Sequence, residues 1–202
     1  MNYIELSLKD LKKKCTDWAV EIASQYQPDL LIYVAKAGYL VAKPMQEIYK
    51  VPLVGISATR EGNSLKEFVG PLVSHLPNFI RNLLISVELK SGTHQKNTER
   101  RIKYHEGLKA VKMQRIGKIL IIDDSVDTGY SMRQVVNSIR SIFPSADVKI
   151  AALNVWDKSE SVIHTDYALY RNTIIKAPMS KDSVEYKKFV DIYEKETNNG
   201  YL

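Results

Sequence analysis

The sequence is poor in cysteine, with Cys15 as its one thiol among 202 residues. A single cysteine cannot form an internal disulfide, so the chain must be stabilised by its core and not by cross-links. The class of small disulfide-stabilised folds is therefore excluded. A reducing compartment is expected.

Long apolar runs are also missing. The opening residues, MNYIELSLKDLKKKC, lack the apolar segment of a signal peptide, and no later stretch approaches the roughly 18 apolar residues of a membrane span. We therefore expect a cytoplasmic protein without a membrane partner.

The overall composition is that of an ordinary globular protein. Hydrophobic residues make up 45% of the chain and charged residues 26%, and the length suits a single domain over residues 1–202. The net charge of +6 suits an anionic partner, but it does not distinguish a nucleic acid from a small phosphorylated ligand.

Helical spacing and short apolar runs alternate along the chain. Ser7 and Asp10 resemble a capped helix start. Alternation of this kind favours an α/β fold with a mostly parallel sheet flanked by helices, with the ligand beyond the carboxyl ends of the strands. The predicted elements are a helix over 7–26, a strand over 30–35, a helix from after Gly38 to about Lys50, strands over 52–57, 118–122 and 148–155, and a helix after Gly129.

Three segments fit this alternation less well. Residues 58–84 hold turn formers and an apolar stretch, and they are predicted to be an insertion. Residues 90–118 carry nine Lys or Arg against two Glu, which predicts a flexible basic loop; its alternative is a solvated surface loop. Residues 156–202 are expected to form a small hood that ends in a helix, with Tyr186, Phe189 and Tyr193 at helical spacing.

The most informative stretch is residues 119–131, ILIIDDSVDTGYS, where two acids follow a buried strand and a glycine turn opens a helix. Asp123 and Asp124 could accept hydrogen bonds from two ribose hydroxyls, directly or through a metal and its waters. The helix start could bind a phosphate through unpaired backbone N–H groups, helped by hydroxyl groups. The residues of this predicted phosphate site are Asp127, Thr128, Gly129, Tyr130 and Ser131. The alternative is that the acids only cap the turn.

The same stretch resembles the thirteen-residue phosphoribosyl pyrophosphate (PRPP) motif of type I phosphoribosyltransferases. Among these, the chain is most similar to bacterial xanthine-guanine and hypoxanthine phosphoribosyltransferases. The supporting fragments are 34–39 (VAKAGY), 121–129 (IIDDSVDTG), Ile139 with Arg140, 143–146 (FPSA), Asp166 with Tyr167, and 173–179 (TIIKAPM).

The resemblance implies an activity and its ligands. It implies the type I fold, transfer of 5-phosphoribosyl from PRPP to a nitrogenous acceptor, Mg²⁺ as cofactor, a role in purine salvage and a homodimer or homotetramer. Asp123 and Asp124 would bind ribose and magnesium, possibly through water. Asp127 would be the general base; its alternative role is to shape the phosphate turn.

The resemblance also implies a pyrophosphate site. Lys36 would supply charge, and Ala37 and Gly38 would let backbone N–H groups approach the anion. A lone lysine after a strand is otherwise a surface residue. From the basic segment we predict contacts from Arg100, Arg101 and Lys103.

The acceptor site departs from the family pattern. Family members stack a 6-oxopurine on an aromatic ring, whereas Ile174 stands at that position here, beside Ile175, and Met179 replaces a second Trp. The lysine expected at the 6-oxo group corresponds to Trp156 by strict spacing, or to Lys158 after a shift of two residues. Trp156 could also be a stacking platform or a core residue.

Three competing functions remain open at this stage. A PRPP-sensing regulator would keep the motif, but no helix-turn-helix segment is evident in the sequence, and we expect no nucleic-acid partner. A phosphotransfer receiver domain would carry its acidic pair at the first strand and would lack the Asp-Thr-Gly turn. A phosphoribosyltransferase with a non-purine acceptor is the main rival among enzymes.

Overall fold

The computed structural model describes residues 2–60, 100–104 and 116–198. In chain order the elements are β1 (Asn2–Glu5), α1 (Leu8–Ala23), β2 (Leu30–Val34), α2 (Ala35–Tyr49), β3 (Leu53–Arg60), β4 (Arg100–Tyr104), β5 (Lys118–Val126), α3 (Tyr130–Ile142), β6 (Asp147–Val155), a short 3₁₀ helix (Asp157–Ser159), β7 (Tyr167–Arg171), β8 (Thr173–Lys176) and α4 (Tyr186–Asn198).

Six of the strands form one sheet in the order β4-β3-β2-β5-β6-β7. All neighbouring strands run parallel except β4, which is antiparallel to β3. The α/β fold with a mostly parallel sheet, predicted from the alternation of strands and helices, is confirmed.

The central strands are buried on both faces. All five residues of β2 are buried, and Leu31 and Leu30 belong to hydrophobic clusters on opposite faces of the sheet. The helices α1, α2 and α4 contribute to the first cluster, and α3 contributes to the second. Continuous apolar runs such as ILII at 119–122 are typical of strands covered by helices on both sides.

The first helix begins as its sequence predicts. Ser7 and Asp10 form a reciprocal capping box, and Leu11, Cys15 and Ile22 lie on the buried face. The helix ends at Ala23, three residues before the predicted end, and Tyr26 instead donates hydrogen bonds to backbone carbonyls of β5 and β6 at 3.2 and 2.8 Å. Burial raises the pKa of the Cys15 thiol to about 12, so this thiol is a core residue.

A second, two-stranded sheet joins β1 to β8 in parallel, with Tyr3 opposite Ile174 and Ile4 opposite Ile175. The sequence pattern predicts no strand before residue 7. A four-residue strand has no readable periodicity, and its partner lies far away in the sequence.

The predicted basic loop and the predicted insertion both need correction at their boundaries. Within the predicted basic loop, Arg100–Tyr104 form strand β4 and pair with β3, because the backbone of β3 offers a free edge there. The remainder of 90–115 lies outside the described residues. So does the predicted insertion, except for residues 58–60, which prolong β3.

The C-terminal helix packs on α2. Tyr39 donates a hydrogen bond to Glu196, and the Tyr39 ring meets the Tyr193 ring edge to face with centroids 5.4 Å apart. Phe189 and Tyr193 are buried, as their helical spacing predicted. In the described part of the chain, every helix is too short or too polar to cross a bilayer.

Candidate active site

The two acids of the motif lie inside β5, not after it. The sequence predicted that the strand stops at Ile122, but it continues to Val126 because β6 still pairs with it beyond Ile122: Asp123 is opposite Ala152, and Val126 is opposite Val155. The acids therefore stand at the carboxyl end of a central strand, where ligands bind in open α/β sheets.

Asp123 is a buried carboxylate, with 9% of its surface exposed. Its Oδ1 accepts a hydrogen bond from the backbone N–H of Asp124 at 2.9 Å. Burial raises the pKa of Asp123 well above its ordinary value, and the adjacent Asp124 carboxylate raises it further. Burial also raises the pKa of Asp124. The motif predicts that both acids follow the strand; Asp123 is instead buried within it, because the extended strand carries it into the core.

The turn after β5 presents the predicted phosphate-binding residues. Asp127, Thr128 and Tyr130 are exposed, and Ser131 is half-buried in the first turn of α3. Gly129 is the N-cap of this helix and has a φ of +78°, a conformation that side chains disfavour.

A second constraint acts on Gly129. A Cβ atom there would lie 3.0 Å from the Ser159 carbonyl oxygen and 3.0 Å from a methyl group of Ile163. The glycine therefore allows the turn to pack against the segment after β6. This packing requirement is different from the close approach to a ligand that the motif suggested.

The predicted pyrophosphate loop is the first turn of α2. The helix begins at Ala35, whose φ is +51°, and not after Gly38 as predicted, because one left-handed residue suffices to turn the chain from β2 into the helix. Lys36 is exposed, with Nζ 5.6 Å from the centroid of the Tyr193 ring. A Cβ on Gly38 would lie 2.9 Å from the Ile122 carbonyl oxygen, so this glycine lets α2 approach β5 beside Asp123.

The basic residues of the other predicted pyrophosphate group lie on β4. Arg100 is paired with Arg60, and Lys103 with Ser57. The end of β4 that carries Arg100 and Arg101 lies beside the carboxyl end of β3, which is the edge of the sheet that also carries Asp123. Strands β3 and β2 stand between β4 and β5, so the backbone does not place these residues next to the acids.

A cavity of about 290 Å³ opens beside the acids of β5. It brings together four groups that the sequence analysis had assigned to sugar, catalysis and acceptor: Asp124, Asp127, Trp156 and the pair Ile174 and Ile175. Asp123, Lys36 and Lys158 do not line it. The full lining is Asp124, Ser125, Asp127, Leu153, Asn154, Trp156, Thr173, Ile174, Ile175, Ala177, Met179 and Ser180.

The two residues that competed for the lysine position have different environments. Trp156 lines the cavity, whereas Lys158 is exposed, with Nζ 5.9 Å from the centroid of the Trp156 ring. The segment is held by Asn172, which has a φ of +48°. Its Oδ1 accepts from the Asp157 backbone N–H at 3.1 Å, and its Nδ2 donates to the Asp157 carboxylate at 2.6 Å. Trp156 is therefore a wall of the cavity.

Several residues of the cavity were missed by sequence reasoning. Leu153, Asn154 and Ser180 carried no motif signal, whereas Ser125, Thr173 and Ala177 lie in motif fragments but were given no site role. One clue was available, since Asn154 is a polar residue inside the apolar run of β6, and a buried amide requires partners. Its partners are the backbone N–H and C=O groups of Thr173.

The arrangement is suited to a phosphorylated sugar with a flat, partly apolar neighbour. The carboxylates of Asp123 and Asp124 are hard oxygen donors, fit for ribose hydroxyls or a hydrated divalent cation. The described residues form no cluster of three or more metal-binding side chains, so a cation here would need oxygen atoms from a substrate or from water.

Comparison with known proteins agrees with this geometry. The family model of the phosphoribosyl transferase domain matches residues 6–187. No curated protein sequence matches the chain significantly.

Solved structures share its fold at low sequence identity. A purine phosphoribosyltransferase from Pyrococcus horikoshii has 18% identity and a TM-score of 0.57, over 91% of this chain and 98% of that one. The xanthine-guanine-hypoxanthine phosphoribosyltransferase of Helicobacter pylori has 14% identity and a TM-score of 0.63, over 94% and 99%. A hypothetical protein of Neisseria gonorrhoeae, solved with bound ppGpp, has 14% identity and a TM-score of 0.55, over 96% and 97%.

The family match covers the elements that carry the acids, the turn after β5 and the cavity wall, from α1 to the start of α4. The chain belongs to the phosphoribosyltransferase domain family and is a transferase enzyme.

Proposed function

We propose that the protein transfers the 5-phosphoribosyl group of PRPP to a ring nitrogen of a nucleobase, preferably a 6-oxopurine, and releases pyrophosphate. The observation that carries this proposal is the shared cavity, in which Asp124 and Asp127 face the segment of Trp156, Ile174 and Ile175. A sugar bound at the acids would have its anomeric carbon beside the wall that can hold a flat ring.

The sugar phosphate would be bound by β5 and the turn after it. The first N–H groups of α3 have no intrahelical acceptors, and Thr128 and Ser131 stand before and after Gly129 in the sequence, so their hydroxyl groups could help to bind the phosphate. The ribose hydroxyls would be held by Asp123 and Asp124. These acids are rigidly placed, because their backbone belongs to a paired central strand.

The same acids fit a magnesium ion that arrives with PRPP. Burial raises the pKa of both carboxyl groups, so a nearby positive charge would relieve an unfavourable interaction. Asp123 and Asp124 would hold the ion directly or through water. When bound, magnesium supplies positive charge for the departing pyrophosphate.

Asp127 would accept the proton that the acceptor nitrogen loses. It is exposed, lines the cavity and receives a hydrogen bond from Ser125, which orients one of its oxygens. The first turn of α2, with Lys36, Ala37 and Gly38, and the basic residues Arg100, Arg101 and Lys103 stay as the proposed pyrophosphate contacts.

Acceptor identity is the finer part of the proposal. The similar structures named as purine and xanthine-guanine-hypoxanthine phosphoribosyltransferases support a purine. The aromatic surface would come from Trp156, since Ile174 cannot stack as a ring does.

A second candidate is a phosphoribosyltransferase for a non-purine acceptor. Two observations favour it: Ile174 and Met179 line the wall where the family pattern has aromatic rings, and Lys158 is outside the cavity.

The deciding experiment measures PRPP-dependent release of pyrophosphate with magnesium across hypoxanthine, guanine, xanthine, adenine, pyrimidines and small amines. Saturable release with a 6-oxopurine supports the proposal, and release only with another class supports the second candidate. Failure of every acceptor, together with tight PRPP binding, would overturn catalysis in favour of a sensing role. Asp191→Asn, an exposed change on α4, is the matched control.

Three further expectations stay predictions. These are a cytoplasmic location, assembly as a homodimer or homotetramer, and one domain with an insertion at 58–84, a basic segment at 90–118 and a hood over 156–202.

A further inference from the structure

The acceptor wall is not part of the main sheet. Strand β8, which carries Ile174 and Ile175, pairs with β1, and among the described strands it has no ladder with β6 or β7. Its position relative to the main sheet must therefore be fixed by contacts other than strand pairing.

The side chain of Asn154 supplies that contact. Its Nδ2 donates to the Thr173 carbonyl oxygen at 2.9 Å, and its Oδ1 accepts from the Thr173 backbone N–H at 3.3 Å. An amide carries both a donor and an acceptor, so it can pair with one residue of a strand as a neighbouring backbone would. The side chain of Asn154 thereby joins β6 to β8 in the way that a pair of backbone hydrogen bonds would.

This link is buried and belongs to the cavity. Asn154 and Thr173 are each 4% exposed, and both line the cavity. In a buried site the hydrogen bonds do not compete with water, and a partner left unpaired keeps its full desolvation penalty. Asn154 also stands opposite Ser125, the residue that orients Asp127.

We propose that Asn154 is a positioning residue for the acceptor, which sets the distance between the Ile174–Ile175 wall and the acids of β5. The effect on acceptor kinetics rests on the proposed function, whereas the hydrogen-bonded link between Asn154 and Thr173 does not depend on it. Asn154 acts through Thr173, and it is distinct from the acids and the turn that would hold PRPP.

Neighbouring contacts predict that losing this link displaces the wall without unfolding it. The turn between β7 and β8 keeps the bond from the Asn172 N–H to the Val155 carbonyl at 3.0 Å, and Thr173 Oγ1 still donates to the Arg171 carbonyl at 2.8 Å. On its other side β8 keeps β1. The expected result is a looser wall, and hence a weaker acceptor site, in a folded protein.

The test compares Asn154→Leu, which keeps the branching of the side chain and removes both hydrogen bonds, with Tyr26→Phe. Tyr26 also bridges to backbone carbonyls of β5 and β6, but it lies at the opposite end of these strands. For Asn154→Leu we expect the acceptor KM to rise about 10-fold, with the PRPP Kd changed less than twofold. Exchange of the Thr173 amide hydrogen should accelerate at least about 10-fold. Tyr26→Phe should leave the acceptor KM, the PRPP Kd and the exchange of the Thr173 amide hydrogen unchanged.

The proposal would be overturned if the acceptor KM and the PRPP Kd rose by the same factor, or if the acceptor KM of the folded variant were unchanged. If Asn154→Leu does not fold, Asn154→Asp is the second variant, because it keeps the acceptor for the Thr173 N–H and loses the donor. The same two outcomes then apply to it. The exchange measurement needs no substrate, so unchanged Thr173 exchange refutes the link even if wild type shows no turnover. A wild type without turnover overturns the proposed function alone.

Discussion

Ser125 Oγ donates a hydrogen bond of 2.6 Å to Asp127 Oδ1 across the turn that follows β5. Ser125 is still part of the strand, and it is paired with Asn154, so the hydroxyl group has a fixed position. The carboxylate of Asp127 is thus oriented by the sheet although it is exposed. An acid held in this way can serve as a general base with little reorganisation.

Replacement of Asp127 by Asn should separate catalysis from binding. The amide oxygen can still accept the bond from Ser125, so the turn keeps its shape, while the basic oxygen is lost. We expect turnover to fall by roughly 10²–10⁴ with the PRPP Kd nearly unchanged. Single-turnover pyrophosphate release and calorimetry measure the two quantities. Equal losses in both would mean that Asp127 only shapes the phosphate turn.

Replacement of Asp123 by Asn should stabilise the protein at neutral pH. Burial raises the folded pKa of Asp123 above the ordinary value of 3.8, so between these two values the folded state binds more protons than the unfolded state. The free energy of unfolding therefore falls as pH rises from about 4 through the folded pKa. The neutral amide avoids this loss, and its Tm should be a few degrees above wild type at pH 7.5, with each kcal/mol worth roughly 2–4 °C.

Thermal unfolding from pH 4 to pH 8 checks this sign. The advantage of Asp123→Asn should shrink as pH approaches 4, and PRPP binding should weaken at every pH. Asp191→Asn, on the exposed face of α4, should show neither effect. A variant less stable than wild type at pH 7.5 would show that the Asp123 carboxylate stabilises the fold.

Removal of magnesium should weaken PRPP binding. The raised pKa values of Asp123 and Asp124 show that the site disfavours further negative charge, and PRPP brings several negative groups. We expect at least a 10-fold rise in the PRPP Kd in the presence of a chelator, which corresponds to a loss of about 1.4 kcal/mol of binding free energy. Calorimetry with magnesium and with chelator measures it. Equal affinity in the two titrations would remove magnesium from the site.

Gly129→Ala should destabilise the protein by about 1–3 kcal/mol, because a side chain would combine a disfavoured φ with contacts at 3.0 Å to the segment 159–163. The control is Gly117→Ala, where the nearest atom to a new Cβ is a side-chain oxygen of Asp29 at 3.4 Å. That change should stay within about 0.5 kcal/mol. Denaturant unfolding compares the two, and similar midpoints would contradict the packing role of Gly129.

Trp156 and Lys158 should contribute unequally to acceptor binding. Trp156→Leu removes a ring from the cavity wall, and we expect the acceptor KM to rise about 10-fold, as for loss of a stacking surface worth about 1–1.5 kcal/mol. Lys158→Ala should change it less than twofold, because Lys158 does not line the cavity. Steady-state kinetics with the best acceptor decides, and a larger effect of Lys158→Ala would show that this lysine reaches the bound acceptor.

Local patterns predicted those parts of the fold whose residues are close in sequence. The buried runs at 30–34 and 119–122 and the capping box of Ser7 needed no knowledge of distant partners. To predict that Asp123 lies inside a strand, one must know its distant partner, because β5 extends past Ile122 only where β6 continues to pair with it. No periodicity rule includes two adjacent acids in a buried strand.

The candidate site shows the same division. The motif predicted Asp124, Asp127 and the phosphate turn, since these are adjacent in sequence. Asn154 and Thr173 were not predicted, because their relationship is a hydrogen-bonded pair between two strands that are not neighbours in one sheet. Strand β4 was missed for a similar reason, since a segment rich in Lys and Arg predicts a loop and its pairing partner β3 lies far away in the sequence.

The pairing of β1 with β8 also constrains how the protein is made. Asn2 is paired with Thr173, which a ribosome adds 171 residues later, so β1 waits roughly 10–30 s for its partner at ordinary rates of synthesis. The six-stranded sheet can begin to form during this interval, whereas the outer support of the acceptor wall cannot. A nascent chain released too early would therefore have assembled the acids and the phosphate turn while its acceptor wall was still missing.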